Sequence, residues 1–242
     1  MSDIVYQRIL VKLSGEALVG SQDSGLDPVM IDRLAGELIA LHRAGVEIGI
    51  VVGGGNLFRG AALAAAGLDR VTSDHMGMLA TVMNALALRD GLERRGADAA
   101  VLSGLDIPQV CESYSQRDAR RRIAAGEIIV FAAGTGNPYF TTDTGASLRA
   151  IEIKAQLMIK ATKVDGIYDK DPVKHADAVR FERLHYDEAI DQRLAVMDVA
   201  AMILCNDNAL DLVVCDINQP SALLDLAQGE SVGTRVTPRE AR

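Results

Sequence analysis

The chain is poor in everything that staples or anchors a fold. It has three cysteines in 242 residues, Cys111, Cys205 and Cys215, an odd number with no C-x-x-C pair. That argues against a disulfide framework or a zinc knuckle, and a reducing cytoplasm is the expected compartment. The opening Met1-Ser2-Asp3-Ile4-Val5-Tyr6-Gln7-Arg8 lacks a basic-then-apolar export pattern. The longest mainly apolar stretch, Met76 to Leu88, is too short to span a bilayer, so no membrane association is expected. Positive charge is scarce as well: 25 Lys and Arg against 33 Asp and Glu give a formal net charge of −8. General nucleic-acid binding, which rests on many cations meeting phosphates, is therefore not expected. No glycine is followed by lysine, which removes the G-x-x-x-x-G-K-S/T phosphate loop, and no G-x-G-x-x-G opens a helix. H-E-x-x-H, G-x-S-x-G and the protein-kinase set are missing too, leaving proteolysis, ester hydrolysis and protein phosphorylation without a nucleophile or metal site. Linkers, low-complexity tracts and repeats are absent, so a single domain over 1–242 is expected.

What remains is an alternation of strand-like apolar runs and helical patterns, with 49% apolar residues to fill a core. This is the rhythm of an α/β protein with a mostly parallel sheet and helices on both faces. Strands are expected at Ile9 to Leu13, Val46 to Val52, Ala99 to Ser103, Ile128 to Ala132 and Gln156 to Thr162. Asp27 followed by Pro28 reads as an N-cap with proline at the first helical position, and the helix ends near Gly45. A second helix, from His75 to Arg95, is apolar on nearly every side in its first half, which predicts burial in the core or against another subunit. Arg120-Arg121-Arg122 reads as a solvated helix face, and Asp169 to Val179, polar and charged, as a mobile flap.

Four strand ends carry chemistry, and in open α/β sheets ligands bind where such ends converge. Lys12-Leu13-Ser14-Gly15 places a lysine at the end of a buried strand, followed by small residues with available N–H groups. Val51-Val52-Gly53-Gly54-Gly55 runs from strand into three glycines, with Arg59 a turn later, which suits a phosphate cradle. Gly134-Thr135-Gly136-Asn137-Pro138-Tyr139-Phe140-Thr141-Thr142-Asp143 is dense in hydroxyls and ends at a helix start, where Thr142 or Asp143 reads as an N-cap. Lys160-Ala161-Thr162-Lys163 leads into a turn carrying Tyr168 and spaced acids, groups that stack on a base and bond a ribose. His75, beside Asp74 at an expected helix start, is the one histidine of interest. Together these describe a cleft for two phosphorylated or charged ligands, hence phosphoryl transfer.

At this point the chain resembles a known family. Lys12-Leu13-Ser14-Gly15-Glu16-Ala17-Leu18, Gly53 to Gly60, Asp74-His75-Met76-Gly77-Met78-Leu79-Ala80-Thr81, the Thr135 to Asp143 loop and Lys163-Val164-Asp165-Gly166 are similar to bacterial uridylate kinases. These belong to the amino-acid kinase superfamily, and the likeness runs in order through essentially the whole chain. It implies a three-layer αβα sandwich (the amino-acid kinase fold) and transfer of the γ-phosphoryl group of ATP to UMP, with Mg²⁺ carried by ATP and no protein metal site. It also implies roles, position by position. Lys12, Leu13, Ser14, Gly15, Gly55 and Arg59 fall to the ATP phosphates, and Thr162, Tyr168 and Asp171 to the adenosine. Gly54, Asp74 and the loop Thr135, Gly136, Asn137, Pro138, Tyr139, Phe140, Thr141 and Thr142 fall to UMP, Asp74 to its ribose. Asp143 and Asp198 are expected to orient cationic groups and join Lys12 and Arg59 in catalysis. The family further implies a homo-oligomer, a hexamer built as a trimer of dimers, with GTP as activator and UTP as inhibitor. Ser24-Gly25-Leu26-Asp27 departs from the family's aromatic-glycine pair in a stretch tied to effector response, and Gly145 stands where alanine is common, an exchange expected to leave function untouched.

No general base is called for, because the second pKa of a phosphate monoester is about 6 and the acceptor is already largely a dianion at neutral pH. Two other readings stay open. A kinase of this fold acting on an amino-acid carboxylate would need a site for an α-amino group, and a nucleotide-binding regulator would have lost turnover.

Overall fold

The computed structural model describes residues 3–20, 22, 24–58 and 67–239. Among these the strands are β1 (Arg8–Leu13), β2 (Glu47–Val52), β3 (Ala99–Ser103), β4 (Glu112–Ser113), β5 (Ile128–Ala132), β6 (Leu157–Thr162), β7 (Ile167–Tyr168), β8 (Arg180–Phe181), β9 (Arg183–His185), β10 (Asp211–Asp216) and β11 (Thr234–Thr237). The α-helices are α1 (Pro28–Arg43), α2 (Arg70–Arg94), α3 (Gln116–Ala124), α4 (Thr142–Glu152), α5 (Tyr186–Asp191), α6 (Val199–Asp207) and α7 (Ala222–Ala227).

Strand alternation assigns every residue to a layer. Ile9, Val11 and Leu13 of β1, Ile48, Ile50 and Val52 of β2, and Ile128 and Val130 of β5 face one side, where they pack with Leu34 and Leu38 of α1, Val82 and Leu88 of α2 and Leu223 of α7. Leu10, Val51, Ile129 and Phe131 face the other, against Ile123 of α3, Ala146 and Ala150 of α4, Ala189 of α5 and Ala201 of α6. The result is a three-layer αβα sandwich in which strands buried on both faces read as continuous apolar runs. Leu88 is fully buried, and Leu88→Ala should cost about 2–5 kcal/mol through lost transfer energy and a cavity.

The sheet has nine strands in the order β4-β3-β5-β2-β1-β6-β10-β11-β9, parallel except where β11 runs against β10. The chain moves outward one way from β1 to β2 and the other way from β6 to β10, so the direction reverses between β1 and β6. Ligand clefts form outside the carboxyl ends at such a reversal.

Local chemistry sets the boundaries. Asp27 accepts the Val29 N–H at 2.9 Å with Pro28 at the first position of α1. Helix α2 begins at Arg70, not near His75, because Asp69 is its cap and accepts the Thr72 N–H at 2.9 Å. Asp74 and His75 therefore sit inside the helix. Its apolar residues also divide by face. Met78, Val82 and Leu88 are buried, while Met76, Leu79 and Met83 are exposed at 40, 49 and 54%. The expected flap at Asp169 to Val179 is the tip of the β7–β8 hairpin, tied by Asp169 N–H to Val179 O at 3.1 Å and by Lys170 to Asp177 at 2.6 Å. Among the described residues no helix is long and apolar enough to cross a membrane, and all three cysteines are free and buried.

Candidate active site

Lys12 owes its position to the same alternation. It shares the Leu10 face of β1, toward α4, and is 8% exposed. There its Nζ lies 2.8 Å from Asp143 Oδ1, on the first turn of α4. Lys160, the partner of Lys12 in the β1–β6 register, reaches the other oxygen, Asp143 Oδ2, also at 2.8 Å. Its ammonium further donates to the Val196 carbonyl. Burial by itself would push the Asp143 carboxyl up, but the ammonium groups of Lys12 and Lys160 outweigh it and hold the group below the usual carboxylate range. Burial lowers the pKa of Lys160, against the pull of Asp143. Two cations sharing one anion leave one net positive charge in a nearly dry place at the sheet's carboxyl edge.

Asp198 acts on Lys160 through its charge, while its direct bonds go elsewhere. It is the N-cap of α6, where it accepts the Ala201 N–H at 3.0 Å. Its carboxylate also receives the Thr144 hydroxyl at 2.9 Å and that of Thr141. Thr141, rather than Thr142 or Asp143, caps α4 and accepts the Asp143 and Thr144 N–H groups. Asp198 thus fastens the hydroxyl loop to α6.

A cleft of about 290 Å³ opens beside this cluster. Gly54, Gly55, Asp74, Thr135, Asn137, Phe140, Thr141 and Thr142 line it, drawn from β2, α2 and the loop between β5 and α4. Within that loop Gly136, Pro138 and Tyr139 do not line it. Tyr139 is 66% exposed, with Arg70 5.4 Å over its ring and its N–H donated to Asp74 Oδ2 at 2.7 Å. That same oxygen receives Arg70 Nε at 2.8 Å. Helix packing accounts for Gly54: a Cβ there would stand 2.9 Å from the Gly77 carbonyl oxygen of α2, whereas one on Gly55 would meet nothing within 4 Å. The glycine turn is thus pressed on the helix at one residue and open at the next.

A second cleft, of about 410 Å³, is lined by Tyr168, Asp171, Pro172 and Leu194 among others. The Tyr168 hydroxyl donates to Asp165 at 2.7 Å, and this bond pushes its pKa up. The Val173 N–H, 3.0 Å from Asp171 Oδ1, keeps that carboxyl low. Thr162, at the end of β6, does not line this cleft; its hydroxyl is spent on the Val164 backbone. The Leu13 side chain is buried in the core, and its carbonyl accepts the Gly53 N–H at 2.9 Å. Ser14 and Gly15 open the 3₁₀ turn Gly15–Leu18 after β1. Arg59 lies outside the described residues.

Three contributors escaped the site assignment. Lys160 stands in the sequence only as the start of the fourth strand end, because its pairing depends on the β1–β6 register. Thr144 lay one residue past the motif. Arg149 of α4, 5% exposed, donates to the Gly134 carbonyl at 3.0 Å and stacks 3.6 Å over Tyr114. Gly145 also matters more than expected, since its Cβ would lie 3.0 Å from Gly134 Cα and press on the hydroxyl loop.

A glycine turn opening on a cleft, a buried lysine pair and a second cleft in a mostly parallel sheet protein define a phosphotransferase of the small-molecule kinase type. The chain belongs to the amino acid kinase family, whose model matches residues 7–216. It is 57% identical over 239 residues to the uridylate kinase of Xanthomonas oryzae pv. oryzae, covering 99% of this chain and all of that one. It is equally close, 57% over 231 residues, to the uridylate kinase of Ectopseudomonas mendocina, covering 96% of this chain and 94% of the relative. Among solved structures, the UMP kinase from Bacillus anthracis superposes with a TM-score of 0.93 at 33% identity, covering 98% of this chain and 97% of that one. The UMP kinase from Ureaplasma parvum does so at 0.89 and 34%, covering 96% and 98%.

Proposed function

We propose that the chain transfers the γ-phosphoryl group of MgATP to UMP, giving UDP and ADP, and that residues 1–242 act as one amino-acid-kinase-type domain. The observation that carries the reading is the Lys12–Asp143–Lys160 cluster beside a cleft walled by Gly54, Asp74 and Thr142. Lys12, Ser14, Gly15, Gly55 and Arg59 take the donor phosphates, and Tyr168 and Asp171 the adenosine. Gly54, Asp74 and the Thr135 to Thr142 loop take UMP.

The chemistry asks little of a base. The acceptor phosphate is already largely ionised, since its second pKa is about 6. Asp143, with its carboxyl held low by two ammonium groups, is a poor proton acceptor. Its work is to aim Lys12 and Lys160, which offset the repulsion of two anions and the charge that grows on the transferred group. Among the described residues no group of three or more His, Cys, Asp or Glu could hold a metal. On this reading Mg²⁺ comes as part of the MgATP substrate.

The exposed Met76, Leu79 and Met83 on α2 support burial against a second copy, and with it the homo-oligomer, a hexamer as a trimer of dimers. Three buried free cysteines agree with a cytoplasmic setting. GTP as activator and UTP as inhibitor complete the reading, tested by titrating each into initial rates. For the reaction, pure protein is incubated with MgATP and, in turn, UMP, CMP, aspartate, glutamate or acetylglutamate while ADP is followed. Turnover with UMP alone is expected; turnover with a carboxylate, or with none, overturns the assignment.

A further inference from the structure

One face of α2 is polar where a buried helix face would ordinarily be apolar. Asp74, Thr81 and Asn84 follow at spacings of seven and three, which puts them on one side of the helix. Thr81 and Asn84 are 4% and 0% exposed. Burying such groups is costly unless they are bonded, and each is bonded to a loop of the active site.

Thr81 Oγ1 donates to the Met78 carbonyl at 2.7 Å and accepts the Ala133 N–H at 2.8 Å. Ala133 opens the hydroxyl loop with a left-handed φ of +59°, a conformation that an L-residue keeps only when its surroundings hold it there. Asp74 takes the Tyr139 N–H farther along the same loop. Asn84 serves the other loop. Its Nδ2 donates to the Gly53 carbonyl and to Asn56 Oδ1, both at 2.6 Å, while its Oδ1 accepts Asn56 Nδ2 at 3.1 Å. Asn56 also donates to the Gly25 carbonyl at 2.8 Å. The helix therefore grips the backbone immediately before Gly54 and immediately before Gly134.

We propose that Thr81 and Asn84 are positioning residues. They fix the separation between the glycine turn and the hydroxyl loop, and so between donor and acceptor phosphates, on the reading that the reaction is ATP-to-UMP transfer. Two phosphates must meet in line at contact distance, and a displacement of about 1 Å can cost about 10²-fold in rate. Loss of either grip should therefore lower kcat more than it raises KM.

The test compares Thr81→Val, which keeps shape but loses the hydroxyl, with Thr81→Ser, which restores it, Asn84→Ser, which shortens the amide, and Val82→Ala as a control. Val82 is buried on the same helix in the hydrophobic core. For each variant kcat, KM for both nucleotides and Tm are measured, together with hydrogen exchange of 53–56 and 133–139. Thr81→Val should lose about 10- to 100-fold in kcat with KM changed less than about threefold, and Thr81→Ser should recover most of it. Its exchange should quicken in 133–139 and that of Asn84→Ser in 53–56. Val82→Ala should lower Tm without moving kcat beyond about twofold. A Thr81→Val enzyme with normal kcat and unchanged exchange overturns the proposal, as does a Val82→Ala enzyme losing as much kcat at equal Tm. Should Thr81→Val not fold, Asn84→Ser decides by the same two readouts. A wild-type chain that never turns over UMP overturns the proposed function instead, while the exchange comparison still judges the positioning.

Discussion

The two clefts are built by opposite means. Around the cleft proposed for the acceptor, three ties are partly or fully buried, Thr144 to Asp198, Arg149 to the Gly134 carbonyl and Thr81 to Ala133, although those of Asp74 to the Tyr139 N–H and to Arg70 are exposed. The donor-base cleft leans on a hairpin whose ties, such as Lys170 to Asp177 and Lys174 to Asp171, lie at the surface. Buried polar bonds are expensive to break and fix one geometry, whereas exposed ion pairs contribute little and permit several. On the proposed assignment, selectivity for the acceptor would reside in the scaffold, and the donor base would meet a more compliant wall. Mutations on the acceptor side should move stability and catalysis together; those on the hairpin should separate them.

The largest expected effect lies at the buried lysine pair. Lys12→Ala should lower kcat by about 10³-fold or more while ATP binding, followed by calorimetry, changes little, because its charge is needed mainly as the phosphoryl group transfers. Near-normal turnover would dissolve the distinction between the two sides. Asp143→Asn comes next. Leaving two buried ammonium groups without their anion should cost about 3–5 kcal/mol of stability, read by chemical denaturation. The pH dependence follows from sign. The folded pKa of Asp143 is depressed, so below its ordinary value of about 4 the unfolded chain binds more protons. Its contribution is intact above that pH and fades as pH falls through the lower folded value. The variant should lack this part of the acid limb.

Tyr168→Ala should raise KM for ATP about tenfold through lost stacking on the base, with Tm unmoved. A matching fall in Tm would blur the comparison. Asp198→Ala should do the reverse. It removes a helix cap worth about 1 kcal/mol together with two hydroxyl anchors, lowering Tm and raising KM for UMP several-fold. Smallest of all, Lys170→Ala should shift stability by less than about 0.5 kcal/mol, the scale of an exposed pair.

Much of this was legible in the sequence because it rests on short-range rules. Apolar runs located β1, β2, β3, β5 and β6, and Asp27-Pro28 located α1. What could not be read depends on register or on contacts between distant segments. Pairing Lys160 with Asp143 needs β6 beside β1, and the role of Asp198 needs α6 beside α4. Strand β10, as long as β1 but followed by no glycine- or hydroxyl-rich loop, and the shorter β4, β7, β8, β9 and β11 carry no such signal. Helix α2 divides in a way its sequence does not reveal: Met76, Leu79 and Met83 are exposed on the single chain, while the buried side carries Thr81 and Asn84. Gly54 serves two ends that sequence cannot separate, lining the cleft and letting α2 pack closely.

One consequence of the alternation in β1 concerns assembly of the fold rather than its chemistry. Ile9, Val11 and Leu13 serve one layer, and Leu10 and Lys12 the other. A slip of one residue against β2 or β6 would turn Lys12 into the layer of α1 and α2, among Leu34, Leu38 and Val82 and away from Asp143. Apolar on both faces, the strand would otherwise tolerate such an error. The lysine that pairs with Asp143 in the finished fold thus also penalises misaligned strands while the sheet is being made.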